Sequence, residues 1–464
     1  MINVNVNFCY SDMYMEWLLA IAFVGGIAAP LNYRWSFEEA RLAMLVVRPV
    51  MLVTDESCHH WYSNFQKDDI PSLRWHVSLD SPSLDFVKMW NVLTTEMLKK
   101  NSISSLPLNY CWAHEGAVII CFTSGTTGRP KGVTLSHAAL IIQSLSKIAI
   151  VGYGEDDVYL HTAPLCHIGG LSSAMTMLMV GGCHVLIPKF EPKSALEAIE
   201  RHKVTSFITV PAIMAGIISL IRQKETWKGM ETVNKILNGG GGLSIELIKD
   251  AALFFPRAKL LSAYGMTETC SSLTFMTIYD PTMKTYSQHH QTVANIKYWG
   301  EIPAKAAYSS NESWFDTGDV GSIDEYGNVW LIGRAKGQIK SGGENIYPEE
   351  VEGILLQHPG IVGTVIVGVP DAHLTEMVVA CVELREHWHW SHGSFEHSSK
   401  NKVPVLSGAI LRRYCREKNL TGFKIPKVFI LWMEPFPATT TGKIKRDQVR
   451  REVISHLQSL HSSL

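Results

Sequence analysis

The chain has 464 residues, 46% of them hydrophobic and 18% charged, with a formal net charge of −1 at pH 7. That length allows two or three domains around a large core. The near-neutral balance excludes a general electrostatic pull toward nucleic acid or an anionic membrane. Nine cysteines lie far apart with no C-x-x-C pair, which argues against a disulfide framework or a zinc site and for a reducing compartment.

Taken in order, residues 17–30 (WLLAIAFVGGIAAP) are too short to span a bilayer and are broken by Gly25 and Gly26, so they read as a buried helix running into a loop. The first arginine is Arg34, so no Arg-rich transit peptide and no charged signal region is visible at the start. An amphipathic helix follows Ser36, and Leu52 and Val53 end a short strand. Residues 61–108 show little period and read as an irregular excursion. From 117 to about 211, strand-like runs (117–122, 185–188, 207–210) alternate with helical ones (137–148, 195–202), which argues an α/β domain with parallel strands. Strand candidates at 233–237 and 260–263 follow, then a hairpin-like pair around 324–328. Pro348 suits the first turn of a helix. Strands at 364–369, 378–384 and 428–432, with helices near 407–418 and 446–460, describe a small α+β domain.

Residues 123–132 read TSGTTGRPKG. Three glycines let the backbone fold closely around oxygens, four hydroxyls donate further bonds and lysine supplies charge, which together suit a polyphosphate. A plain glycine-rich turn is the bland alternative, opposed by the hydroxyl density and by Lys131. The order of residues does not fit the common phosphate loop, which needs G-K-[ST]. Further on stand Asn238 and four glycines, 239–242, where something must approach the backbone closely. Then come Tyr264-Gly-Met-Thr267-Glu268, Thr317-Gly-Asp319, Gly333-Arg334 and Gly442-Lys443.

TSGTTGRPKG, followed by Y-G-x-T-E and T-G-D in that order, closely resembles the acyl-adenylate-forming enzymes, which include acyl-CoA synthetases, firefly luciferase and peptide-synthetase adenylation domains. The resemblance implies a large N-terminal α/β domain over residues 1–333, with several sheets flanked by helices, and a mobile α+β domain over 334–464. It implies ATP and CoA as cosubstrates and Mg²⁺ as cofactor. Thr123, Ser124, Gly125, Thr126, Thr127, Gly128 and Lys131 would hold ATP phosphates. Gly240 and Gly241 would form a floor beneath adenine and the acyl group. The Tyr264 ring would stack on adenine, the Thr267 hydroxyl would meet phosphate, and Glu268 would offer Mg²⁺ a hard oxygen ligand. Asp319 would accept both ribose hydroxyls, and Arg334 would be a second ribose or phosphate contact.

The same resemblance makes His167 a gate at the acyl pocket, although a lone His beside apolar residues is more often a satisfied core residue. It makes Lys336 the hinge, Gly342 and Gly343 the lining of a pantetheine tunnel, and Lys443 the catalytic lysine. Residues 338–352, 378–384 and 419–427 resemble most the plant branch of the family that activates 2-succinylbenzoate for phylloquinone synthesis. Coumarate-type and fatty-acyl CoA ligases are the nearest rivals. The expected partners are a small carboxylic acid, ATP and CoA, with no nucleic acid and no membrane span; monomer or homodimer stays open.

Two departures from the family pattern stand out. The chain begins almost at Ser11, where the family has several dozen earlier residues, and a strand-rich segment is missing near 291–301. A truncated, non-catalytic isoform is therefore a further reading. The last residues, Ser462-Ser463-Leu464, loosely match the S-K-L peroxisomal address, so peroxisome or chloroplast is expected.

Overall fold

The computed structural model describes residues 3–7, 12–58, 61, 69–79, 92–100, 116–123, 130–243, 245–282, 290–292, 297–298, 317–324, 329–334, 337–341, 344–371, 373–391, 404–418, 420, 422–439 and 443–462. They fall into two compact units, Met1–Leu243 with Leu247–Ser310, and Ser244–Glu246 with Asn311–Leu464. Within the second unit, the Pro348–Leu355 helix packs on the Val329–Arg334 strand.

The first unit holds two large sheets. One runs Lys297–Tyr298, Lys131–Ser136, Ala117–Thr123, Ile27–Pro30, Asn3–Asn7, Met51–Thr54, Trp75–Ser78 and Val92–Thr94. Its pairs are parallel from Ala117–Thr123 to Val92–Thr94 and antiparallel at the other edge. The second runs His290–Thr292, Thr274–Tyr279, Lys259–Tyr264, Lys235–Asn238, Ser206–Thr209, Val158–Leu160 and Cys183–Val185, with the last five strands parallel. Strands covered on both faces need unbroken apolar runs, and Ala117 through Phe122 are all buried.

The expected alternation of strand and helix is present, with three corrections. Residues 27–30 form a strand rather than a loop, because their four small or branched side chains are buried between neighbouring strands. The excursion at 61–108 contains the Trp75–Ser78 and Val92–Thr94 strands and the Thr95–Lys100 helix. These strands escape a periodicity test because they are only four and three residues long. The motif loop leads into a strand, Lys131–Ser136, before the helix.

Helix starts follow local chemistry. Ser36 and Glu39 form a reciprocal capping box for Phe37–Val47. Ser136 accepts from Ala139 N at 3.1 Å to start His137–Val151. Proline occupies the first turn of Pro192–His202, Pro211–Ile221 and Pro348–Leu355.

In the second unit, Thr375–Leu384 pairs antiparallel with Ile361–Asp371 and parallel with Val428–Leu431, with Ile339–Ser341 and Glu344–Ile346 extending the sheet. The helices Pro348–Leu355, Gly408–Glu417 and Arg446–Ser462 accompany it. Among the described residues no helix is long and apolar enough to cross a membrane, and all seven described cysteines are free thiols.

Candidate active site

The TSGTTGRPKG motif is the connection of a β-hairpin. Thr123 and Lys131 are register partners in the antiparallel pair of Ala117–Thr123 with Lys131–Ser136. Ser124, Gly125, Thr126, Thr127 and Gly128 lie outside the described residues. Lys131 is exposed where the connecting loop enters the second strand. Gly132 has a packing role of its own, since an added Cβ would sit 2.8 Å from Ile120 Cγ2. The motif thus joins a solvent-facing cation to a buried strand.

The tetraglycine follows the Lys235–Asn238 strand at the end of the parallel sheet. Gly239 N donates to Thr209 O at 2.9 Å, and Gly240 takes the left-handed φ of +70° that glycine tolerates best. At Gly241 an added Cβ would press on Pro211 at 3.4 Å. Asn238 is buried and donates Nδ2 to Gly241 O at 2.7 Å, while its Oδ1 has no donor. A buried acceptor without a donor, beside a turn of bare backbone, fits a ligand that brings an N–H or O–H, as a nucleotide base does.

Tyr264, Thr267 and Glu268 are brought together on one tight turn after the Lys259–Tyr264 strand, all three half-buried. Tyr264 O accepts from Leu273 N at 2.7 Å, and Thr269 Oγ1 accepts from Met266 N at 3.1 Å. Cys270 and Ser271 carry φ of 55° and 102°, and an added Cβ on Gly265 would overlap the Ser271 carbonyl. Non-glycine residues hold such angles only where the surroundings impose them. Glu268 on this rigid turn is an oxygen donor suited to Mg²⁺. Among the described residues no cluster of three metal-ligating side chains exists, so a cation here would also need phosphate or water oxygens.

His167 occupies the N-cap position of the Ile168–Val180 helix without capping it. Its Nε2 lies 3.5 Å from Asn32 Nδ2, a long contact, and Asn32 is buried with Oδ1 accepting from Arg34 N at 3.0 Å. With Oδ1 so engaged, the amide presents its NH₂ to the imidazole. Asn32 as the partner of His167 was invisible in the sequence, 135 residues away. Burial pushes the thiol of Cys166, next to His167, up to about 12, which disfavours the thiolate that a nucleophile needs.

In the second unit, Asp319 and Arg334 are register partners across the Asp319–Ile323 and Val329–Arg334 pair. Asp319 N donates to Thr317 Oγ1 at 3.1 Å. Lys336, Gly342 and Gly343 lie outside the described residues. Lys443 is exposed, with its N donating to Thr439 Oγ1 at 3.1 Å and its O accepting from Thr439 N at 2.7 Å. Just beyond, Arg446 pairs with Glu352, donates to Ile366 O at 2.8 Å and reaches Glu349 at 3.1 Å. The basic run that reads as a solvated helix start therefore divides: Arg446 is an anchor, and Lys443 is exposed.

A mostly parallel α/β unit with a hydroxyl-rich hairpin loop, a glycine floor and a rigid Tyr-Gly-Met-Thr-Glu turn, joined in sequence to a small α+β unit, is the architecture of an adenylate-forming enzyme. The family model for AMP-binding enzyme matches residues 10–296, and that for the AMP-binding enzyme C-terminal domain matches residues 350–443. The chain belongs to the AMP-binding enzyme family. It is 53% identical to the 2-succinylbenzoate–CoA ligase, chloroplastic/peroxisomal, of Arabidopsis thaliana, over 98% of this chain and 88% of that protein. It is 29% identical to the indoleacetate–CoA ligase of Aromatoleum aromaticum, over 94% of this chain and 85% of that protein. The solved o-succinylbenzoate CoA synthetase from Bacillus subtilis, in complex with the acyl-adenylate intermediate OSB-AMP, superposes with a TM-score of 0.73 at 24% identity, covering 97% of this chain and 88% of that one. The Arabidopsis alignment runs over 503 positions, more than the 464 residues here, so that protein carries residues with no counterpart in this chain.

Proposed function

We propose that this chain is an AMP-forming carboxylate–CoA ligase whose acid is 2-succinylbenzoate. The observation that carries the substrate is the 53% identity to the Arabidopsis ligase over nearly the whole chain. The chemistry has two displacements. An acid oxygen attacks the α-phosphorus of ATP and expels pyrophosphate, giving an acyl-AMP; the CoA thiol then attacks the acyl carbon, loses its proton and expels AMP. The first step joins two anions, so alignment and charge neutralisation dominate it.

Each residue role belongs to this proposal. Thr123, Lys131 and the loop between them receive the ATP phosphates, Gly240 and Gly241 the adenine, and Tyr264 stacks on it. Thr267 donates to phosphate. Glu268 holds Mg²⁺, which when bound neutralises phosphate charge. Asp319 and Arg334 hold the ribose, His167 gates the acyl site, and Lys443 supplies positive charge in the adenylation step. Lys336 serves as hinge between domains ending and starting near 333 and 334, and Gly342 and Gly343 admit the pantetheine. The chloroplastic/peroxisomal name of the Arabidopsis relative supports the same compartments here; the tripeptide that suggests the peroxisome ends outside the described residues.

Acid-dependent ATP–pyrophosphate exchange tests the reading, with 2-succinylbenzoate beside coumarate and a medium-chain fatty acid. Exchange with 2-succinylbenzoate alone supports it, and exchange preferring another acid replaces the substrate. A second reading, a non-catalytic isoform, is favoured by the residues that the Arabidopsis protein has and this chain lacks. Silence with every acid, cured by restoring those residues, would select it.

A further inference from the structure

Two helices of the first unit meet along a polar seam where an apolar one is expected. On the His137–Val151 helix, Gln143, Ser144 and Lys147 share a face and are buried, Ser144 and Lys147 at 0% exposure. On the Ile168–Val180 helix, Gly169, Ser172, Ser173 and Thr176 stand at i, i+3, i+4 and i+7, which is one face. Lys147 Nζ donates to Ser172 Oγ at 2.7 Å and Ser173 Oγ at 2.9 Å. Ser272 N donates to Gln143 Oε1 at 3.1 Å, so the carbonyl side of that amide is engaged.

Counting protons shows what the seam lacks. An ammonium has three donors, an amide NH₂ two and a hydroxyl one. Ser172 and Ser173 turn their hydroxyls toward Gly169 O at 3.4 and 3.0 Å, and Thr176 donates to Ser172 O at 2.7 Å. One ammonium proton therefore lacks an acceptor. Gln143 Nε2 and Ser144 Oγ are buried with no partner at all. No carboxylate pairs with Lys147 among the described residues. Its one ionisable neighbour, Cys270, is kept a neutral thiol by burial, which pushes it up to about 12.

A buried donor left unsatisfied is costly, and a buried cation without an anion is more so. Burial lowers Lys147 to about 7, and losing its proton would remove the charge. Neutrality would still leave Gln143 and Ser144 unsatisfied, so a purely structural lysine does not account for the seam. A surplus of donors calls for a group made of acceptors only, and a carboxylate is that group.

We propose that Lys147, Gln143 and Ser144 bind the second carboxylate of the acid, the one not joined to AMP, and so select dicarboxylic substrates. Placement agrees. The serines that hold Lys147 lie on the helix that begins after His167, and Ser272 lies four residues beyond Glu268. At Gly169, on the same face as the serines, an added Cβ would make ordinary van der Waals contact with Ile208 at 3.8 Å. The proposal rests on the ligase reading above and names the residues for its substrate class.

The test uses the full chain, Lys147→Met and Gln143→Leu. Calorimetry measures binding of 2-succinylbenzoate and of 3-benzoylpropionate, which keeps the aryl ketone and one carboxylate; ATP–pyrophosphate exchange follows with both. The unaltered chain should prefer the diacid by about 100-fold or more, as sites built for a polar group do. Lys147→Met should erase most of that preference, through KM rather than kcat, and Gln143→Leu part of it. No preference in the unaltered chain, or full preference in Lys147→Met, overturns the proposal. Diacid binding lost in Lys147→Met, with no exchange by any chain, would keep the site and refute the ligase. Diacid exchange indifferent to both variants would keep the ligase and refute the site. If Lys147→Met fails to fold by its melting curve, Gln143→Leu and Lys147→Gln carry the same comparison.

Discussion

Asp319 and Arg334 face each other as register partners in an antiparallel pair, fifteen residues apart in sequence but adjacent across the ladder. Asp319 N is held by Thr317 Oγ1 at 3.1 Å, which fixes where the strand starts. If Asp319 anchors the ribose, Asp319→Ala removes a charged acceptor of two hydroxyls, worth about 1.5–3 kcal/mol per bond. The expected result is a rise of about 100-fold or more in KM for ATP, read from exchange at varied ATP. A fall confined to kcat would assign Asp319 elsewhere.

Lys443 carries a different expectation. Its loop is fastened by the reciprocal Thr439 bonds and, just beyond, by Arg446 on Glu352 and Ile366 O. Lys443→Ala should lower adenylation by about 10²–10³, the usual cost of removing one preorganised electrostatic contact from a transition state. Thioester formation from supplied acyl-AMP involves no polyphosphate and should change little. Arg446→Met should also lower adenylation, by loosening the loop, and should reduce the melting temperature; Lys443→Ala should not. Pyrophosphate exchange, single-turnover thioesterification and melting curves separate these outcomes.

Gly265 offers a test in the turn itself. An added Cβ would overlap the Ser271 carbonyl, and the turn cannot relax easily because Leu273 N holds Tyr264 O at 2.7 Å. Gly265→Ala should destabilise the first unit by about 2–4 kcal/mol, as backbone overlap at an over-determined turn does. It should also displace Tyr264 and Glu268 and so raise KM for ATP. A variant with unaltered melting and kinetics would show that the turn is soft.

What was legible in the sequence divides along physical lines. Motif residues announce themselves because their chemistry is local: a hydroxyl-rich glycine loop, a Tyr-Gly-Met-Thr-Glu turn, an Asp after Thr-Gly. Short strands such as Val92–Thr94 carry too few residues for a period to show. The Lys131–Ser136 strand hid behind the motif that precedes it. The Asn32–His167 contact and the Lys147 seam were illegible for another reason. They join residues 135 and 25 or 26 apart, on elements whose own patterns read as ordinary buried helix and loop. Lys147 in particular sits among Ile142, Ile148 and Val151, where a lone lysine reads as an exposed position.

Acid should destabilise the folded chain through its buried histidines. Burial lowers His161 to about 3 and His76 to about 4, against about 6.5 in an unfolded chain. Between those values the unfolded chain binds protons that the folded one refuses. Stability from these rings is thus fully present above about pH 6.5 and is lost as pH falls toward 4 and 3. Two such rings remove up to about 4 kcal/mol by pH 5. His161 lies 3.0 Å from His184 through Nε2, so His161→Asn should flatten about half of the decline. Denaturant unfolding at pH 7.5 and 5.5 measures it, and an equal decline in the variant would remove His161 as a cause.

Lys147 gives the last prediction, because a lysine that waits for an anion should take up a proton when the anion arrives. In the free chain burial holds it near 7, so at pH 8 most of the amine is neutral. The groups around it offer no charge to oppose this: Ser172, Ser173, Gln143 and Ser144 are neutral, and Cys270 stays protonated at that pH. A carboxylate brought within bonding distance favours the ammonium and lifts its pKa. Binding of 2-succinylbenzoate at pH 8 should therefore be accompanied by uptake of close to one proton, and at pH 6 by almost none. Calorimetry in two buffers of different ionisation enthalpy reads the number directly. Lys147→Met should abolish the uptake at pH 8, and 3-benzoylpropionate should elicit little in either chain. Uptake that survives in the variant would place the titrating group elsewhere in the acid site.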